Sequence, residues 1–198
     1  FRNYPELNLD ITSDMVVLSG PNAVGKTNLL ESVYFASLFK SFRDDAEFIF
    51  MKGTETAEVR MEVERSGVDH VVEVFLEKRD KIYANFKIDG VKKKRREAQG
   101  YFRVVIFEPG DVELFTKAPE ARRKYLNMVL AQKSAVYLDN LNQYKKVLIQ
   151  KNRLLHDNKT FEVPAQLSVW NQQLADFGSQ IIFERQSFVK FLNQFTQC

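Results

Sequence analysis

The run Gly20-Pro21-Asn22-Ala23-Val24-Gly25-Lys26-Thr27 constrains this chain more than any other segment, because it fits G-x-x-x-x-G-K-[ST] at every fixed position. Glycines let the backbone fold back so that successive N–H groups face inward around an anion. Lys26 is placed to reach the β- and γ-phosphates of a nucleotide, and the Thr27 hydroxyl to ligate Mg²⁺. Such a loop needs a strand before it and a helix after it. Met15-Val16-Val17-Leu18 has the composition of a buried parallel strand, and Lys26 to Phe39 reads as a helix free of Gly and Pro. The dipole of that helix would point its positive end at the phosphates. A glycine-rich turn with no ligand would leave the Lys-Thr pair unexplained.

The rest of the composition is that of an ordinary globular chain. Its 198 residues suit one large or two small domains, with 44% hydrophobic and 28% charged residues. Seventeen Phe point to a core and helix seams filled by large rings. No apolar stretch is long enough to span a bilayer, and no charged-then-apolar leader is present. The one cysteine is Cys198, and His70 and His156 are far apart and read as incidental, so neither a disulfide framework nor a metal-ligand spacing is expected. These features point to the cytoplasm. A net charge of +3 permits an acidic partner without requiring one. The chain opens at Phe1 inside an apparent strand, without an initiator Met, and closes directly after a helical pattern, so it reads as a fragment of a longer protein.

Periodicity divides the chain in two. Phe1 to Ile11 and Met15 to Ser19 read as strands, followed by the loop and a helix that is apolar on nearly every side. Alternation then predicts antiparallel strands at 57–64, 71–76 and 84–88, with turns at Arg65-Ser66-Gly67 and Asp89-Gly90, and a buried strand at Arg103 to Phe107. From Pro119, placed as a helix-starting residue, the pattern is helical. Tyr137, Leu141, Tyr144, Leu148 and Leu155 form one seam, and Leu167, Trp170, Leu174, Phe177, Ile181, Phe188, Leu192 and Phe195 form another, broken once by Glu184. Asp157-Asn158-Lys159-Thr160 and Pro164 mark the turn between them. The expected architecture is an α/β P-loop head with a mixed sheet over 1–117 and a helical arm over 118–198.

Several segments, in order, resemble the RecF family, bacterial DNA-repair ATPases related to the heads of SMC proteins. They are Phe1-Arg2-Asn3-Tyr4, the run from Gly20 to Glu31, Ser41-Phe42-Arg43, Phe107 to Leu114, Arg122 to Leu126, Tyr144 to Leu155 with Gln150-Lys151-Asn152-Arg153 inside it, and Val169-Trp170. The resemblance implies an ABC-type ATPase head that binds ATP and Mg²⁺ and forms an ATP-dependent homodimer in the full-length protein. It also implies engagement of duplex DNA near single-strand gaps and work with RecO and RecR partners in recombinational repair. The helical part resembles the family's short arm. Carried across, the cofactor-binding residues are Gly20, Pro21, Asn22, Ala23, Val24, Gly25, Lys26, Thr27 and Asn28, with Arg2 and Asn3 approaching the nucleotide and Thr27 on the metal. Three positions depart from the family: Val24 for Gln or Ser, Asn127 for Asp, and Glu108 for a small residue.

ABC-type hydrolysis also needs a second strand ending in Asp-Glu and a Ser-Gly-rich signature, and neither is recognisable, so no catalytic residue is assigned. Val104-Val105-Ile106-Phe107-Glu108 imitates the acid-bearing strand, yet it reads better as a strand entering a turn at Pro109-Gly110. Nucleotide binding by this chain alone is expected to be weak and turnover poor. Lys92-Lys93-Lys94-Arg95-Arg96 is either a DNA-phosphate contact or a solvated edge, and Arg43 is a candidate for nucleotide or DNA contact. Arg122-Arg123-Lys124 is a basic helical stretch open to the same two readings. The alternatives to a repair ATPase are a P-loop small-molecule kinase, disfavoured because no Arg-rich lid follows the core, and a non-hydrolysing nucleotide-bound interaction module.

Overall fold

The computed structural model describes residues 1–43, 46–116, 118–157 and 166–195. Asn158, Lys159, Thr160, Pro164 and Cys198 lie outside the described residues. The chain forms two compact units, Phe1–Phe107 and Glu108–Cys198.

The first unit is built on helix α1 (Lys26–Leu38) and a four-stranded antiparallel sheet. The strands run β1 (Thr56–Arg65), β2 (Val68–Lys78), β3 (Ile82–Ile88) and β4 (Val91–Lys93), paired in chain order. The expected turns set this register. Ser66 and Gly67, and again Asp89 and Gly90, have positive φ at both central positions, the backbone that a two-residue hairpin requires. Pairing then places like with like: Ala57 faces Leu76, Val59 faces Val74, and Met61 faces Val72. Phe86 and Ile88 continue the last two rows on β3. This apolar face meets Phe35, Ala36 and Phe39 of the α1 segment, with the Phe39 and Phe86 rings 4.1 Å apart. Each fully buried Phe, Val, Leu or Ile in this core contributes roughly 1.5–3 kcal/mol. On the opposite face one row alternates in charge, from Arg60 to Glu73 to Lys87, before Lys92 falls beside Lys87.

Three expected strands are not strands. Phe1 to Ile11, Met15 to Ser19 and Arg103 to Phe107 join no ladder among the described residues. A strand exists only where a second backbone accepts its N–H groups and donates to its carbonyls. Met15 and Val17 are accordingly 78% and 79% exposed, and Val105 is 87% exposed, not buried. The expectations of a strand at Phe1 to Ile11, a buried parallel strand at Met15 to Leu18 and a buried strand at Arg103 to Phe107 are therefore corrected for this chain. The sheet is also wholly antiparallel in place of the mixed sheet expected.

His70, read as incidental, locks the second hairpin. Its Nδ1 lies 2.8 Å from Asp89 Oδ2, and Val71 N–H donates to Asp89 Oδ1 at 2.8 Å. The hydrogen bond with His70, followed by that from Val71, holds the Asp89 carboxyl below the usual carboxylate range.

The second unit opens with a 3₁₀ turn (Pro109–Phe115), after which α3 (Pro119–Lys133), α4 (Ala135–Asp157) and α5 (Gln166–Asn193) pack together. Pro119 occupies the first turn of α3 as predicted. The seams meet through Leu130, Tyr137, Leu138, Leu141 and Ile181, with Tyr144 and Phe188 against them. Leu155, Leu192 and Phe195 lie outside that core and are exposed. Asn127 carries no charge, yet its Oδ1 accepts from Tyr137 Oη at 2.6 Å and from Arg185 Nη2 at 2.7 Å. Arg185 Nε also donates to Tyr137 Oη at 3.2 Å, so one polar knot ties the three long helices. Burial pushes the Tyr137 phenol up, and the Arg185 hydrogen bond opposes it.

Asn127→Ala, which strips the acceptor from two partly buried donors, is expected to lower unfolding stability by about 1–3 kcal/mol in urea titration. For Asp89, a depressed folded value means that stability is present above the unfolded value of about 3.9 and is lost as pH falls through the folded value. Asp89→Asn should therefore lower the urea midpoint at neutral pH, and the gap from the parent chain should close in acid.

Candidate phosphate-binding site

The loop owes its shape to backbone that L-residues rarely adopt. Gly20 and Gly25 have φ of 145° and 112°, and Ala23 between them has φ of 66°. The first helical hydrogen bond of α1 runs from Leu29 N to Gly25 O, and no side chain caps the helix start. The N–H groups of its opening turn are therefore left for an external acceptor, the arrangement that suits phosphate. Lys26 Nζ donates to Gly20 O at 2.8 Å and to Pro21 O at 2.6 Å, so its ammonium lies across the loop. The Thr27 residue is exposed. Among the described residues no group of three or more His, Cys, Asp or Glu could hold a metal ion.

The N-terminal segment presses against this loop. Arg2, with φ of 55°, turns the chain, and its N–H donates to Ile49 O at 2.7 Å. Asn3 Nδ2 donates to Val24 O at 3.3 Å, and Asn28 Nδ2 donates to Asn3 Oδ1 at 2.8 Å. Tyr4 closes over Gly25 so tightly that a Cβ there would lie 2.6 Å from the Tyr4 Oη. Glycine at that position is thus required twice, by φ and by space.

Arg43 joins the same cluster, its Nη1 donating to Asn28 Oδ1 at 2.8 Å. The structure therefore brings together Arg2, Asn3, Asn28 and Arg43 beside the loop, although these residues are scattered over the first forty-three positions. Two participants were given no role from the sequence. Tyr4 and Glu31 both fall within the runs that carry the family resemblance, and an acid inside an otherwise apolar helical stretch was the signal available for Glu31.

The basic run beyond β3 does not form one stripe. Lys92 lies on the solvent face of the sheet, while Lys93 pairs with Phe86 on the core side. Lys94 precedes the short helix α2 (Arg95–Ala98). Arg95 Nη2 donates to the carbonyl of Phe39 at 3.0 Å and so satisfies the C-terminal end of α1. Arg96 is exposed, with Glu97 4.0 Å away. Glu108 begins the 3₁₀ turn of the second unit, its N–H donating to Asp111 Oδ2 at 2.8 Å.

Gly25→Ala is expected to destabilise the chain by about 1–3 kcal/mol in chemical denaturation. Adding Tyr4→Ala should recover the part due to the Tyr4 clash and leave the part due to φ and to Asn3 Nδ2, which a Cβ would approach to 2.9 Å.

A family model described as an AAA domain matches residues 1–194. The DNA replication and repair protein RecF of Lachnoclostridium phytofermentans is 40% identical over 200 residues, covering 98% of this chain and 54% of that protein. RecF of Clostridium tetani is 39% identical over 194 residues, covering 98% of this chain and 52% of that protein. The chain therefore spans about half the length of the curated relatives it matches. The solved structure of the recombination mediator protein RecF-ATPrS in the RecFOR pathway superposes with a TM-score of 0.81 at 30% identity, over 86% of this chain and 47% of that one. The RecF-ATP counterpart gives 0.77 at 31% identity, over 85% of this chain and 46% of that one. On these matches and this loop, the chain belongs to the AAA-domain family and, within it, to the RecF family.

Proposed function

We propose that this chain is the ATP-binding part of a RecF-type protein of DNA replication and recombinational repair. The observation that carries the reading is the open first turn of α1, with Lys26 and Thr27 on it and Gly25 held beneath Tyr4. The two similar RecF structures bear ATP and ATPrS in their names, which supports ATP as the nucleotide. In this reading the N–H groups of the loop surround the β- and γ-phosphates, Lys26 leaves the carbonyls of Gly20 and Pro21 to bind them, and Thr27 holds Mg²⁺. Arg2 is committed to Glu31 by two hydrogen bonds, so its part is to shape the loop from beneath while Asn3 stands closer to the nucleotide.

Turnover by this chain alone is slow in the same reading. Orienting the attacking water takes a carboxylate free to accept a proton or bind the metal. Glu31, the acid on α1, is fully buried and engaged by Arg2. Glu108 opens the capping box of the 3₁₀ turn, its side chain paired with the Asp111 backbone N–H. The whole protein then forms an ATP-dependent homodimer in the cytoplasm, engages duplex DNA near gaps, and works with RecO and RecR. The RecFOR pathway named for the similar structures supports those partners. Lys92, Lys94 and Arg96, which are exposed, are the basic-run residues best placed to meet DNA phosphates, with Lys93 at the sheet edge and Arg95 supporting the fold. A small-molecule kinase is disfavoured by the RecF matches over nearly the whole chain.

Calorimetric titration with Mg-ATP, with turnover followed in the same sample, tests this. Binding that Lys26→Ala abolishes, without appreciable ADP release, is the expected result. Robust turnover would overturn the slow-ATPase reading, and Lys26-independent binding would overturn the loop as the site.

A further inference from the structure

Glu31 is the most deeply buried charged group among the described residues, at 0% exposure, and it sits one helical turn below the phosphate loop. Three groups converge on it. Arg2 donates Nε at 2.9 Å and Nη2 at 2.6 Å, the Ser41 hydroxyl donates to Oε1, and Arg43 Nη1 lies 3.8 Å from Oε2. Ser41 Oγ in turn accepts from the Arg43 N–H at 2.9 Å. The carboxylate therefore fixes Arg43 from two directions, through charge and through Ser41. Arg43 delivers that constraint to Asn28, the residue directly after Thr27, and Asn28 passes it to Asn3, which holds the Val24 carbonyl of the loop. Four polar contacts thus lead from a buried acid to Asn28, just after the loop, and to the Val24 carbonyl within it.

We propose that Glu31 is a positioning residue for nucleotide binding, which sets Arg43, and through it Asn28 and Asn3, in the arrangement that keeps the loop open for a triphosphate. This rests on the reading of the loop as the ATP site. A carboxylate this close to a triphosphate site opposes the ligand's charge, so a purely electrostatic role makes a definite and opposite prediction. Removing the charge would then tighten ATP binding. A purely structural role predicts a lower melting temperature with unchanged affinity. A positioning role predicts weaker binding despite the loss of a negative charge, because Arg43 loses its anchor.

Glu31→Gln keeps the shape and one oxygen to accept from Ser41 Oγ and Arg2 Nη2, but it removes the charge and replaces with an NH2 the oxygen that accepts from Arg2 Nε. Mg-ATP titration by calorimetry is compared across the parent chain, Glu31→Gln, Arg43→Ala and the double variant, with Lys26→Ala marking the reading of the site. The expected result is a loss of roughly tenfold in affinity for Glu31→Gln. Arg43→Ala should show a similar loss, and the double variant should lose no more than either alone, since both act through one contact. Unchanged or tighter binding in Glu31→Gln, where Lys26→Ala abolishes binding, overturns the proposal and leaves the ATP site standing. Lys26-independent binding in the parent chain overturns the site itself and the proposal with it. Should Glu31→Gln show no melting transition, Arg43→Ala and Asn28→Ala carry the test: non-additive losses support the relay, and additive losses overturn it.

Discussion

One helix has to be sealed along its flank and left open at its start. The α1 segment packs Phe35, Ala36 and Phe39 into the core of the first unit, and its last carbonyl is taken by Arg95. Its first turn has no cap at all. Unsatisfied N–H groups at a helix start are a cost in an isolated helix and an asset where an anion is to be bound. The sheet makes this asymmetry affordable by holding α1 through burial, so that the end facing the ligand need not stabilise the helix. Ser37 adds a polar tether on the same flank, its hydroxyl donating to Phe102 O at 2.6 Å.

Polar groups cluster away from water in two places, one around a buried charge, and each ties segments distant in the chain. Glu31 gathers Arg2, Ser41 and Arg43, and the Asn127–Tyr137–Arg185 knot gathers three helices. A buried ion pair adds little net stability after desolvation, whereas losing one partner of it costs several kcal/mol. The Arg2–Glu31 pair is of that kind, and the Asn127 knot adds hydrogen bonds of fixed direction between its helices. Apolar seams alone would tolerate a helix slipping by one turn. Directional hydrogen bonds do not.

Local patterns were legible where their cause is local. The hairpin turns at Ser66-Gly67 and Asp89-Gly90 follow from residues that accept positive φ, and the α1 helix ends at Leu38, within one residue of its predicted limit. The phosphate loop was legible for the same reason, since its glycines, Lys26 and Thr27 are contiguous. The runs at Met15 to Ser19 and Arg103 to Phe107 have strand composition, but a ladder needs a partner backbone, and composition does not supply one. The basic run from Lys92 to Arg96 looked uniform in sequence, and a strand edge followed by a helix start sends its members to different surroundings.

The sequence by itself therefore determined the hairpins, the long helices and the chemical character of the loop, which are set by residues close together in the chain. Only the tertiary structure decided what supports that loop. Tyr4 over Gly25, Glu31 beneath Arg43 and Asn28 against Asn3 are contacts between residues separated along the chain, two of the three by more than twenty positions. No periodicity encodes such contacts, because they arise when α1 is buried against the sheet and the N-terminal turn is folded over its start.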